Sequence, residues 1–223
     1  MNPTEMQSVK LVWITPEAEE VMTYCARVSN PENQSNMETA AKLLRYCIKQ
    51  RHWSIFETAN LCMEINTTRA ISAQILRHRS FSFQEFSTRY QDVTVLGAPQ
   101  VPHLRRQDQK NRQNSIDDLD SASIQKYYRR ISTLFEEAGH LYKEMISSGV
   151  AKECARSILP LASPTRLYVN GTIRSWITYL SLREKSGTQQ EHMNIARDIK
   201  KIFCGQLPLI GEALGGAEVD WEI

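Results

Sequence analysis

The stretch LCMEINTTRAISAQILRHRSFSFQEFSTRY, residues 61–90, passes from a strand through a helix into a second extended segment. Leu61, Met63 and Ile65 alternate with Cys62, Glu64 and Asn66, the two-residue period of a half-buried strand. A helix is predicted to follow from about Thr68 to Leu76, which would put Gln74 and Arg77 on a shared face. Past it, Phe81 and Phe83 alternate with Ser80, Ser82 and Gln84. An extended backbone there buries the rings and presents a polar wall on its other side.

Outward from this stretch, strands and helices keep alternating. Ser8 to Ile14 is rich in β-branched residues and ends at Thr15-Pro16, an opening strand. Glu17 to Val28 and Glu38 to Gln50 carry apolar residues at helical spacing. The segment from Asp92 to Ser121, with Pro99 and Pro102 and few large apolar residues, reads as a long surface excursion. Ile124, Tyr127, Tyr128, Ile131, Leu134, Phe135, Ala138, Leu141, Tyr142 and Met145 then define a long helix with one apolar face. A short helix from Ala151 to Leu159 stops at Pro160, and a strand covers Arg166 to Asn170. Ile173, Trp176, Ile177 and Leu180 mark another helix, and a last one spans about Gln190 to Phe203. The result is a mixed α and β chain with helices in the majority.

Hydrophobic residues at 41% and charged residues at 23% allow a packed core, and 223 residues suit one domain, 1–223. The N-terminal stretch lacks the charged and apolar regions of a leader and the apolar runs are short, so a cytoplasmic protein without membrane contact is expected. Five scattered cysteines without a CxxC pair point to reduced thiols, and the histidines form no HExxH pair, so no metal is expected. A net charge of +2 gives little long-range attraction to nucleic acid. There is no GxGxxG and no Gly-rich GK[ST] loop, which excludes the common nucleotide-binding folds.

Local charge is more telling. Between Arg69 and Tyr90, Arg69, Arg77, Arg79 and Arg89 surround one carboxylate, Glu85, with Ser80, Ser82 and Ser87 between them. The planar guanidinium fork gives a phosphate paired, charge-assisted hydrogen bonds, and serine hydroxyls complete the oxygen shell. Ser87 has no visible His-Asp partnership, so it is read as a phosphate ligand and not as a nucleophile. A competing reading, a nucleotide- or nucleic-acid-binding module without catalysis, draws on the basic stretch from His103 to Arg112.

Arg77-His78-Arg79 followed after seven residues by Ser87 resembles the RHR-x7-S signature of the flavin-dependent thymidylate synthases, the ThyX family. Ala26-Arg27-Val28-Ser29, His52 to Glu57, Ala155-Arg156 ahead of Leu159-Pro160, Arg174-Ser175 and Leu182-Arg183 extend the resemblance over about residues 20–195. It implies the family's α/β (mixed α+β) fold, a single domain with a central sheet flanked by long helices. It also implies methylation of dUMP to dTMP with methylenetetrahydrofolate as carbon donor and FAD, reduced by NADPH, as hydride source. No cysteine nucleophile is needed, and none of the five cysteines precedes a histidine as in the flavin-free synthases.

By the same resemblance, Gln74, Arg77, Glu85, Ser87, Arg89 and Arg156 hold dUMP, and Arg183 stands beside the pyrimidine to stabilise charge as N3 ionises. FAD is assigned to Ser54, Arg77, His78, Arg79, Glu85, Thr172, Ile173, Arg174 and Thr178, with His52 near flavin and folate. Residues serving both ligands imply a homotetramer with shared sites. Gln84, Thr172, Thr178 and Gly187 depart from residues frequent in the family and bear on the flavin contacts.

Overall fold

The alternation at Leu61–Asn66 becomes strand β2 (Asn60–Thr68), in which Leu61, Met63 and Ile65 are all fully buried. The computed structural model describes residues 7–223; the N-terminal stretch read for a leader begins in residues 1–6, outside the described residues. With β1 (Ser8–Ile14), β3 (Ser82–Glu85) and β6 (Pro164–Thr172), β2 forms a four-stranded sheet in the order β1-β2-β6-β3. A separate two-stranded hairpin pairs β4 (Arg106–Gln107) with β5 (Ser115–Ile116).

The helices are α1 (Ala18–Ala26), α2 (Ala40–Lys49), α3 (Arg69–Ile75), α4 (Ser121–Ser147), α5 (Lys152–Ala155), α6 (Ile173–Arg183), α7 (Gln190–Gln206) and α8 (Pro208–Ala213). The last of these was not expected: Pro208 ends α7 but suits the first position of a new helix, where no amide is needed. Helix α3 starts where its orphan amides find acceptors. Thr68 Oγ1 accepts the Ile71 amide at 3.4 Å, and the Arg69 and Ala70 amides donate to the carbonyls of Ser163 and Leu161 at 3.0 Å each.

The chain folds into two compact units. One contains Ser8, Asn66–Arg77 and Gln84–Leu167; the other contains Val9–Ile65, His78–Phe83 and Tyr168–Ile223. In the second unit Met22, Leu44, Phe56, Leu61, Trp176 and Phe203 are fully buried, each such side chain contributing about 1.5–3 kcal/mol relative to exposure. The Trp176 indole satisfies its one donor on Leu61 O at 2.9 Å.

In the first unit, the 92–121 excursion is more structured than its composition suggested. It holds a 3-10 turn, Val93–Leu96, and the β4-β5 hairpin, and Val93 and Val101 are buried. The order comes from short-range polar contacts: Asp108 accepts the amides of Lys110 and Asn111 at 2.8 and 3.2 Å and the Asn114 side-chain amide at 3.0 Å. Helix α4 has the expected apolar face, capped by Asp120, which accepts the Ser123 amide at 2.8 Å, but only Tyr142 along it is buried. Leu134 and Leu141 remain 60% and 47% exposed.

Candidate functional site

Helix α3 ends at Ile75, so Arg77 lies beyond it and the shared helical face expected for Gln74 and Arg77 does not form. The chain leaving α3 delivers Arg77, His78 and Arg79 before β3 begins. Of the four arginines between Arg69 and Tyr90, two are already paired. Arg69 donates to Glu85 at 3.4 Å, and Arg89 donates through Nε and a terminal nitrogen to Glu153 at 3.2 and 2.9 Å. Arg77 and Arg79 are exposed and form no ion pair among the described residues. They are the guanidiniums left for an anion.

Glu85 is firmly seated in the first unit. Its Oε1 accepts from Ser72 at 2.8 Å and Thr165 at 3.0 Å as well as from Arg69, which leaves Oε2 for a further donor. The turn after β3 is held from the other side by α5 and the residues after it: Arg156 donates to Thr88 Oγ1 at 3.2 Å and Lys152 to Tyr90 O at 3.0 Å. Ser87 is exposed on this turn, and its carbonyl accepts the Tyr90 and Gln91 amides at 3.2 and 2.9 Å. Among the described residues no histidine bonds its hydroxyl, so it offers a hydrogen bond and not an activated nucleophile. Gln74 is half-buried on α3.

The second unit carries the other candidates, most of them on α6. Thr172 caps that helix, its Oγ1 accepting the Ser175 amide at 3.2 Å and bonding Ser175 Oγ at 3.0 Å. Ile173 is fully buried and its amide donates to Ala59 O at 3.0 Å. These two residues build the helix start; the exposed ones are Arg174, paired with Glu57, and Thr178, whose hydroxyl donates back to Arg174 O at 3.1 Å. Glu57 closes the 3-10 turn Trp53–Glu57, which also presents Ser54 to solvent. His52 is exposed just ahead of it, edge-on to Tyr46 with ring centroids 5.9 Å apart.

At the end of α6, Arg183 Nε donates to His78 Nε2 at 2.8 Å. The accepting nitrogen carries no proton, so the imidazole is neutral with its hydrogen on Nδ1. Burial, and then the charge of Arg183, pushes His78 down to about 4. The Tyr179 ring lies edge-on to His78 at 4.9 Å, and its hydroxyl bonds His192 Nε2 on α7 at 2.9 Å. His192 is fully buried, and burial, then Arg183 and His78, hold it at about 3; burial raises the Tyr179 hydroxyl above its ordinary value.

Tyr179 and His192 escaped the sequence reading, as did Ser72, Thr165 and Glu153, and Glu57 entered it only within the His52 to Glu57 stretch, with no role of its own. His192 left one signal: with Ile195, Ala196, Ile199 and Phe203 it lies at helical spacing on the buried face of α7. The cysteines are all free, and burial pushes the thiols of Cys47, Cys62 and Cys204 up, away from the reactive thiolate. A cavity of about 540 Å³ in the first unit, along the Tyr128, Phe135 and Gly139 face of α4, is lined by none of the candidate residues.

The family described as "Thymidylate synthase complementing protein" matches residues 10–209. A protein of Paramecium bursaria Chlorella virus 1, named "Probable flavin-dependent thymidylate synthase", is 48% identical over 221 residues, which are 96% of this chain and 99% of its own. The flavin-dependent thymidylate synthase of Synechocystis sp. is 50% identical over 201 residues, 90% of both chains. Among solved structures, the UMP/dUMP methylase PolB from Streptomyces cacaoi, bound with 5-Br dUMP, superposes with a TM-score of 0.83 at 26% identity, covering 96% of this chain and 97% of its own. The protein belongs to the thymidylate synthase complementing protein family, that of the flavin-dependent thymidylate synthases.

Proposed function

We propose that this protein is a methyltransferase that converts dUMP to dTMP, with methylenetetrahydrofolate as carbon donor and NADPH as reductant of its FAD. The observation that carries this reading is the pair of exposed guanidiniums, Arg77 and Arg79, unpaired among the described residues and flanking a neutral His78 bound to Arg183. Phosphate groups take paired, charge-assisted hydrogen bonds from such forks.

In this reading the first unit holds dUMP through Gln74, Arg77, Glu85, Ser87, Arg89 and Arg156, with Arg89 exchanging Glu153 for the phosphate. The exposed hydroxyls and guanidiniums of Ser54, Arg79, Arg174 and Thr178 fit the pyrophosphate and hydroxyl groups of FAD, and His78 adds an imidazole edge. Bound FAD supplies the hydride that completes the methyl group. Arg183 presents a cation to the pyrimidine, stabilising the charge that develops as N3 ionises. His52, exposed beside Ser54, stands near flavin and folate.

The open apolar face of α4 supports self-association as a homotetramer, since a helix that leaves Leu134 and Leu141 to solvent has a surface to bury. Residues 1–223 are read as a single flavin-dependent thymidylate synthase domain. The cytoplasm is the proposed location; separately, among the described residues no helix is long and apolar enough to cross a membrane. A nucleic-acid-binding reading finds less support in the His103–Arg112 stretch, where Arg106 pairs with Asp118 and His103 with Asp117, so neighbouring acids answer two of its basic groups.

Flavin-stripped protein supplied with dUMP, FAD, NADPH and methylenetetrahydrofolate is expected to form dTMP, read by chromatography. Omission of any one should abolish it. Formation of dTMP without flavin would overturn the assignment.

A further inference from the structure

We propose that Tyr179 and His192 are positioning residues for Arg183, acting through His78. The inference rests on the reading of Arg183 as the cation beside the pyrimidine.

The Arg183 guanidinium is held by one atom. With Nε bonded to His78 Nε2 at 2.8 Å the guanidinium is tethered at one point, and among the described residues its two terminal NH2 groups remain for a ligand. That arrangement works only while the imidazole keeps its Nε2 lone pair aimed at Arg183. A rotation of the ring would turn the acceptor away, and protonation would remove it.

Two aromatic rings bracket His78: Tyr179 edge-on at 4.9 Å and Phe81 at 6.4 Å. Tyr179 is itself locked, with its ring buried and its hydroxyl bonded to His192 at 2.9 Å, and the His192 ring centroid lies 6.5 Å from that of His78. Among the described residues, the titratable groups facing His78 are Arg183 and Tyr179 from α6 and His192 from α7, with no carboxylate. A buried tyrosine–histidine pair carries a desolvation cost that two apolar side chains would avoid, and what it adds is orientation. The dry surroundings also keep His78 neutral.

The test compares Tyr179→Phe, His192→Leu, His192→Gln and the double variant Tyr179→Phe/His192→Leu with Arg183→Ala. Each of the first two should lower kcat by roughly tenfold, the scale of a small misplacement of a catalytic group. The dUMP KM and flavin content should stay within about twofold of the parent. The double variant should lose no more than either single one, because both act through one hydrogen bond. His192→Gln, which keeps a hydrogen-bonding group near the Nε2 position, should recover most of kcat. As water reaches His78, the acid limb of the kcat profile should move up toward the ordinary 6.5 of an imidazole.

If the pair variants lower only thermal stability while kcat and its pH profile stay as in the parent, and Arg183→Ala is inactive, this inference fails alone. Full turnover by Arg183→Ala would instead overturn the parent reading. Should a single variant fail to fold, the double one, apolar at both positions, keeps the comparison open.

Discussion

The ring of Phe81 occupies the space in which a side chain at position 171 would begin: a Cβ on Gly171 would fall 2.3 Å from Phe81 Cδ1 and 2.6 Å from Cε1. That ring cannot easily withdraw, because it packs against Trp176 at 4.6 Å and Tyr179 at 5.7 Å. The chain carrying Arg77 to Arg79 is thus anchored by a phenylalanine that needs a glycine opposite it.

Gly171→Ala should therefore destabilise the fold by about 1–3 kcal/mol, the usual range for overpacking a tight core. Urea unfolding is expected to show a lower midpoint with an unchanged slope, and flavin retention should fall with it.

Arg183 and Arg79 should separate chemistry from binding. Arg183→Ala is expected to abolish turnover while leaving much of the FAD bound. Arg79→Ala removes an exposed guanidinium and should weaken flavin retention by roughly 10- to 100-fold, matching a charge-assisted hydrogen bond of about 1.5–3 kcal/mol. Equal loss of flavin in both variants, measured by absorbance after gel filtration, would contradict this division.

If Arg89 holds the dUMP phosphate as proposed, Glu153 competes with substrate for it. Both side chains are more than half exposed, 66% and 54%, so the pair contributes at most about 1 kcal/mol. Glu153→Gln should lower the dUMP KM by no more than about fivefold, whereas Arg89→Ala should raise it by roughly tenfold or more. An unchanged KM in Arg89→Ala would remove that residue from the phosphate site.

His192 ties stability to pH. Its folded-state value is held at about 3, below the 6.5 of a free imidazole, so between these values the unfolded chain binds a proton that the native one does not. Stability should fall as the pH drops through that window, by up to about 1.4 kcal/mol per pH unit, and the effect should vanish above it. His78, pushed down to about 4, acts in the same direction. The Tm of the parent should accordingly drop more steeply on acidification than that of His192→Leu.

Elements with strong periodicity were legible in the sequence. The alternation of Leu61 to Asn66 and the apolar repeat of α4 each became the element expected. What could not be read was which face finds a partner, since periodicity marks an apolar face without saying what covers it: α4 keeps its face open. The end of α3 at Ile75 and the start of α8 at Pro208 depend on where free backbone groups find acceptors.

At the site, the RHR segment was visible as charge, but its partners lie far away in sequence. Glu153 is 64 residues from Arg89 and Arg183 is 105 from His78. Thr172 and Ile173, assigned to flavin by resemblance, are engaged in starting α6. His192 sat in an apolar repeat and could have been noticed as one of its two titratable buried members, the other being Lys200.

The decisive measurement is release of tritium from C5-labelled dUMP by the purified, flavin-loaded protein given NADPH and methylenetetrahydrofolate. Release that needs both flavin and folate, and that is lost in Arg183→Ala, is the expected result. No release from a protein that holds flavin and binds dUMP would contradict the synthase assignment and leave only the fold and the anion site.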